Sequence, residues 1–93
     1  MKLLTEYSKH KYDFSIKHRE ENLAIAYGKH RIHEHDNWEV IRIRSHNGLQ
    51  MGENFVPPAE FGPSDREWGV HGFTALNEQH AFEIFNRLKS TSN

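Results

Sequence analysis

Between Tyr12 and Arg44 the chain carries runs of strand-forming residues parted only by brief clusters of turn residues, and that spacing dictates hairpins. Parallel strands need a crossover of roughly a dozen residues or more, and none fits here. Tyr12, Phe14 and Ile16 alternate with Asp13, Ser15 and Lys17, the period of a strand with one buried face. Glu20-Glu21-Asn22 reads as a three-residue hairpin loop, with Asn22 suited to the left-handed position such loops require. A second strand then runs from Leu23 to about His35, Asp36-Asn37 makes a tight turn, and Trp38 to Arg44 is the third. Asn47-Gly48 is the preferred pair for a type I′ turn and predicts a fourth strand from Leu49 to about Val56, which Pro57-Pro58 ends.

A loop rich in breakers from Pro57 to Asp65 leads to a fifth strand around Trp68 to Ala75. Asn77 is placed to cap a C-terminal helix in which Ala81, Ile84, Phe85 and Leu88 form one apolar stripe. Leu3, Leu4 and Tyr7 suggest a short helix within residues 1–10, and residues 90–93 read as a frayed tail. The expected fold is a single α+β domain over residues 1–93: an antiparallel β-meander of four to five strands with the C-terminal helix packed on one face.

The turns set the register, and register sets the faces. They place Asp13 opposite Lys29, Ile16 opposite Ala26 and Ile32 opposite Ile41. One face then carries Tyr12, Phe14, Ile16, Ala24, Ala26, Gly28, Ile32, Ile41 and Ile43, its small residues forming a trough, and is expected to lie under the helix. The other carries Tyr27, Lys29, Arg31, Trp38, Arg42 and Arg44, with Phe55 nearby and Leu23 and Ile25 among them. It is predicted to be an open binding surface. Arg31 would face Arg42 and Lys29 would face Arg44, pairs that repel across a ladder.

A basic sheet face with interleaved aromatics follows the logic of single-stranded nucleic-acid platforms, where bases stack and phosphates pair. A formal net charge of −1 argues against that use. Charge is uneven along the chain, nine Lys/Arg against seven Asp/Glu in residues 1–44 and three against six beyond, so the two halves could complement each other between copies. Contact with a protein partner, or with a second copy of the chain, is the preferred reading of the face. Nucleic acid is the alternative.

Eight histidines are present, three of them in His30-Arg31-Ile32-His33-Glu34-His35-Asp36. On an extended strand His33 and His35 would point the same way with Cα atoms about 7 Å apart, close enough for both imidazoles to reach one zinc ion. Stable zinc sites use three or four protein ligands, and the linear motif supplies two. His33 and His35 are therefore the candidate metal ligands of a second alternative, a His-ligated metal protein.

No other chemistry is indicated by the residues, so catalysis is unsupported. Without cysteine there is no disulfide, thiolate zinc site or thiol nucleophile. No nucleophile elbow, P-loop or Gly-x-Gly-x-x-Gly occurs. No apolar run approaches a membrane span, and the early charges of Lys2 and Glu6 do not suit a signal peptide, so a cytoplasmic protein without membrane contact is expected. Trp68-Gly69-Val70-His71-Gly72, followed by Ala81 and Phe85 on a helix, is similar in outline to the C-terminal half of WGR domains, which pair a Trp-Gly-Arg strand with a helix and can bind nucleic acid. Val70 stands where that family has its defining Arg. The sequence thus points to a small non-enzymatic binding or regulatory module.

Overall fold

The computed structural model describes residues 1–91. Strands β1 (Glu6–Lys9), β2 (Tyr12–Glu20), β3 (Leu23–His30) and β4 (Asp36–Arg42) form an antiparallel meander. A chain excursion follows, made of β5 (Arg44–His46), β6 (Leu49–Met51), β7 (Asn54–Val56) and β8 (Ala59–Phe61). The chain then returns as β9 (Gly72–Ala75), which pairs with β4 and completes a sheet of order β1-β2-β3-β4-β9. Helix α1 (Glu78–Thr91) packs on this sheet against β3, β4 and β9, giving the expected α+β architecture.

The N-terminal segment is a strand, not a helix. Tyr7 pairs with Phe14 and stacks on its ring, centroids 4.9 Å apart and planes 12° apart. That contact outweighs the weak helical pattern of Leu3, Leu4 and Tyr7. The β1–β2 turn is built from His10 (φ 51°) and Lys11 (φ 66°), both left-handed without being glycine. The β2–β3 pairs Asp13–Lys29 and Ile16–Ala26 are as expected, yet the turn is shorter. Glu20 faces Leu23, Glu21 rather than Asn22 takes the positive φ of 56°, and a bulge at Lys17 absorbs the residue of difference.

Strand β3 stops at His30, and Arg31–His35 form a loop where the sequence predicted strand and a turn at Asp36-Asn37. Lys29 consequently faces Asp36, Tyr27 faces Trp38, and Leu23 faces Arg42. The expected Arg31–Arg42 and Lys29–Arg44 repulsions do not exist. The slip is an even number of residues, so the side chains still within β3 and β4 change partners and keep their faces. Ile32, expected on the buried face opposite Ile41, is left exposed in the loop while Ala24 takes its place.

Asn47-Gly48 does not close a hairpin onto β4. Strand β5 pairs instead with β8 from beyond the Pro57-Pro58 break, and Asn47-Gly48 is the bend that carries the chain into β6. The predicted fourth strand folds on itself: β6 and β7 pair with each other around Gly52-Glu53. Strand β9 begins only at Gly72, and Trp68 ends a single 3-10 turn over Asp65–Glu67, so the Trp-Gly stretch is not a strand. Ser90 and Thr91 belong to α1, while Ser92 and Asn93 of the expected tail lie outside the described residues.

The sheet is buried on both sides. Leu23, Ile25, Val40 and Ala75 meet Ala81, Ile84 and Phe85 of α1, with Trp38, Phe73 and Leu88 at the margin. The helix therefore lies on the face expected to be open. Ala24, Ile41 and Ile43 on the other face are covered by Leu4, Tyr7, Ile16 and Trp68. Aromatic rings close over the small residues expected to receive a helix: a methyl on Gly28 would sit 2.5 Å from the Phe14 ring, and on neighbouring β9 one on Gly72 would sit 2.3 Å from Trp68. No room remains there for a helix. Among the described residues, no helix is long and apolar enough to cross a membrane.

Candidate binding surface

Helix α1 covers the Leu23–Ile25–Val40 part of its sheet face, and the end of β3 and β4 beyond it carries Tyr27 and Trp38, both half-buried. Their rings tilt together with centroids 4.8 Å apart. The Tyr27 hydroxyl donates to Asp36 Oδ2 at 3.0 Å, and Lys17 Nζ lies 5.8 Å from the Tyr27 ring centroid. Lys29 is exposed beside them. This end of the sheet continues into a shallow cleft of about 400 Å³ that runs from Tyr27 and Lys29 to Ile32, His33, His35 and Asp36. Ile32 is 71% exposed.

Of the predicted surface, the structure thus brings together Tyr27, Lys29, Trp38, His33 and His35. Arg31 stands at the loop but turns back to Asp13, Nη2 to Oδ1 2.9 Å. Arg42 sits at the opposite end of β4, beside Leu23 and Phe85. Arg44 belongs to the smaller β5–β8 pair, where it bonds Glu67 and lies over the Phe61 ring at 5.1 Å. Phe55, 60% exposed, is on the β6–β7 hairpin.

Part of the charge of the predicted basic face, and of the basic residues around it, is spent internally. Besides Arg31–Asp13 and Arg44–Glu67, Arg19 pairs with Glu60, and Lys89 with Glu20. A phosphate backbone would have to compete with those carboxylates.

The histidine loop is closed by its own polar groups. The His30 N–H donates to the His35 carbonyl at 2.9 Å. His30 Nδ1 accepts from the Ile32 and His33 amides at 3.1 and 3.0 Å, while its ring meets Tyr12 edge-on. Partial burial, then the nearby His33, His35 and Lys11, hold the His30 ring below its ordinary pKa and so favour the neutral form. With Nδ1 accepting two amides, the proton of the neutral ring belongs on Nε2. A metal at Nε2 would need the other tautomer and would cost both bonds. The rings of His30, His33 and His35 lie 5.0 to 6.5 Å apart, yet among the described residues no group of three or more His, Cys, Asp or Glu is arranged to hold a metal ion. The zinc expectation at His33 and His35 is left with two imidazoles and no third ligand, so the residues do not fit that ion.

Sequence reasoning did not find the second polar cluster. Glu39 is 2% exposed on β4, and both of its oxygens are engaged: Tyr7 Oη donates to one at 2.7 Å and Lys9 Nζ lies 3.3 Å from the other. The same ammonium rests 3.1 Å above the Trp68 ring centroid, and Trp68 Nε1–H donates to Thr74 Oγ1 at 3.0 Å. Burial first, and the Glu39 carboxylate second, push the Tyr7 phenol far above its ordinary range. The cluster flanks a cleft of about 500 Å³ at the β1 edge. Its acid and base are saturated by each other, so it acts as a clamp between β1, β4 and the Trp68 loop. The visible signal was an acidic residue inside the apolar Trp38–Ile43 run.

No known family model matches the chain, and neither a curated protein nor a solved structure matches it.

Proposed function

We propose that the chain is a small non-enzymatic binding module of the cytoplasm that engages another polypeptide, or a second copy of itself, through the Tyr27–Trp38 end of the sheet and the adjoining histidine loop. The observation that carries this reading is the half-buried Tyr27–Trp38 pair opening onto a cleft edged by the exposed Ile32. Aromatic side chains with an apolar anchor and a polar rim are the composition of protein-binding patches. Lys29 is set against Glu34 and Asp36 in the cleft lining, which favours a polypeptide over a phosphate backbone.

A photo-crosslinking residue placed at position 32, compared with one at the equally exposed Val70, tests the proposal in native extract. Adducts formed only at position 32, polypeptide in nature, resistant to nuclease and lost in Tyr27→Ala, are the expected result. Adducts that are nucleic acid, or that are the same from both positions, overturn it.

A further inference from the structure

Asn47 and Gly48, freed from any hairpin role, form a bend in which Asn47 is exposed and Gly48 half-buried, with His46 immediately upstream. The Gly48 N–H donates to His46 Nδ1 at 3.2 Å. The imidazole is held there from two sides. The His46 backbone is paired with Ala59 in the β5–β8 ladder, and its ring lies 6.0 Å from that of Phe61, planes 32° apart. Gly48 has a φ of 109° and presents no side chain to shield its nitrogen.

That nitrogen is the atom that can attack the side-chain amide carbon of Asn47 and close a five-membered imide. The attack is ordinarily slow because a backbone amide is a very weak acid whose proton must leave as the bond forms. A base within hydrogen-bond reach of that proton removes the obstacle. We propose that His46-Asn47-Gly48 is a self-modification site at which His46 acts as general base and Asn47 is converted to aspartate and isoaspartate. The Gly48 N–H proton passes to His46 Nδ1 as the N–Cγ bond forms. The Cγ–NH2 bond of Asn47 breaks, and ammonia departs with that proton. Water then adds to one of the two imide carbonyls and opens the ring. The net reaction is the hydrolysis of one amide with release of one ammonia, and it requires no other reactant.

Among the described residues the other asparagines lack this arrangement. Asn22, Asn37, Asn54 and Asn86 precede Leu23, Trp38, Phe55 and Arg87, whose side chains crowd the attacking nitrogen. Asn77 has its Oδ1 committed to the His80 amide at 2.8 Å. The product matters locally because Phe55 packs directly over Gly48. An isoaspartate lengthens the backbone by one methylene beside that contact and adds a negative charge where the chain enters β6.

The test is a time course of the full chain at neutral pH and physiological temperature, with peptide mapping that separates the Asn, Asp and isoAsp forms of each site. Asn47 is expected to convert at least about tenfold faster in the folded chain than in the urea-unfolded chain, as general-base assistance requires. His46→Phe, which keeps a ring beside Phe61, is expected to slow the folded chain to the unfolded rate and leave the other asparagines unchanged. A folded rate equal to or below the unfolded one overturns the proposal, as does a folded His46→Phe variant that converts as fast as the parent. If that variant does not fold, the ratio for the parent chain decides alone.

Discussion

At the scale of single residues, three described positions, His10, Lys11 and Glu21, hold conformations that their side chains resist, and the first two are consecutive. His10 and Lys11 both occupy the left-handed region, the combination a type I′ turn demands and Asn-Gly satisfies best. Each non-glycine residue there costs about 1 kcal/mol. The double change His10→Asn, Lys11→Gly is therefore expected to stabilise the fold by about 1 kcal/mol and raise the melting temperature by roughly 4–8 °C. Thermal denaturation followed by circular dichroism reads this directly. The Glu39 clamp gives the opposite sign. Lys9→Met leaves a buried carboxylate without its cation and is expected to cost about 3 kcal/mol. Tyr7→Phe removes one of two donors and is expected to cost about 1–2 kcal/mol. Urea titration that ranked Tyr7→Phe as the more damaging would contradict the clamp as described.

At the scale of elements, Glu60 joins three of them. Its carboxylate takes both ends of the Arg19 guanidinium from β2 at 2.7 Å and the Leu4 amide from the N-terminal segment at 2.9 Å. The Arg19 hydrogen bonds, then the Leu4 amide, hold its pKa at about 2 against an ordinary 4.5. A carboxylate depressed in the folded state stabilises fully above the ordinary value, and its contribution is lost as pH falls from 4.5 toward 2. Glu60→Gln should thus weaken the protein at neutral pH and flatten its acid unfolding across that window, measured by denaturant midpoints at a series of pH values. What the sequence disclosed about elements follows the range of the interactions involved. The α1 cap at Asn77, its apolar stripe and the Asp13–Lys29 register depend on near neighbours and were legible. The strand at β1, the β5–β8 pairing and the side taken by α1 depend on contacts between distant segments. Asn47-Gly48 shows the difference most plainly, since its local preference is real but the partner of β5 arrives only after two prolines. The same limit governs the site. Tyr27, Lys29 and Trp38 could be placed together because they sit on paired strands. Arg42, Arg44 and Phe55 could not be placed apart without knowing that the chain leaves the sheet at Ile43.

At the scale of the molecule, the Cα radius of gyration is 14.1 Å, against about 12 Å for a compact chain of this length. Part of the excess is the β6–β7 hairpin, which leaves Leu49, Met51 and Phe55 exposed and pairs with no other strand. A two-stranded hairpin holds itself poorly in water. Its amides are expected to exchange with little protection while those of β3, paired on both sides and buried above and below, exchange only through global unfolding. Hydrogen exchange resolved by residue checks this, and strong protection in β6 and β7 would show that the hairpin is docked in solution. The remaining excess is shape. With extents of 44 × 40 × 22 Å, the fold is about half as deep as it is wide. For the binding role we propose, such a shape offers area rather than enclosure, and its specificity would be that of outline and edge, a tile bedded against another surface.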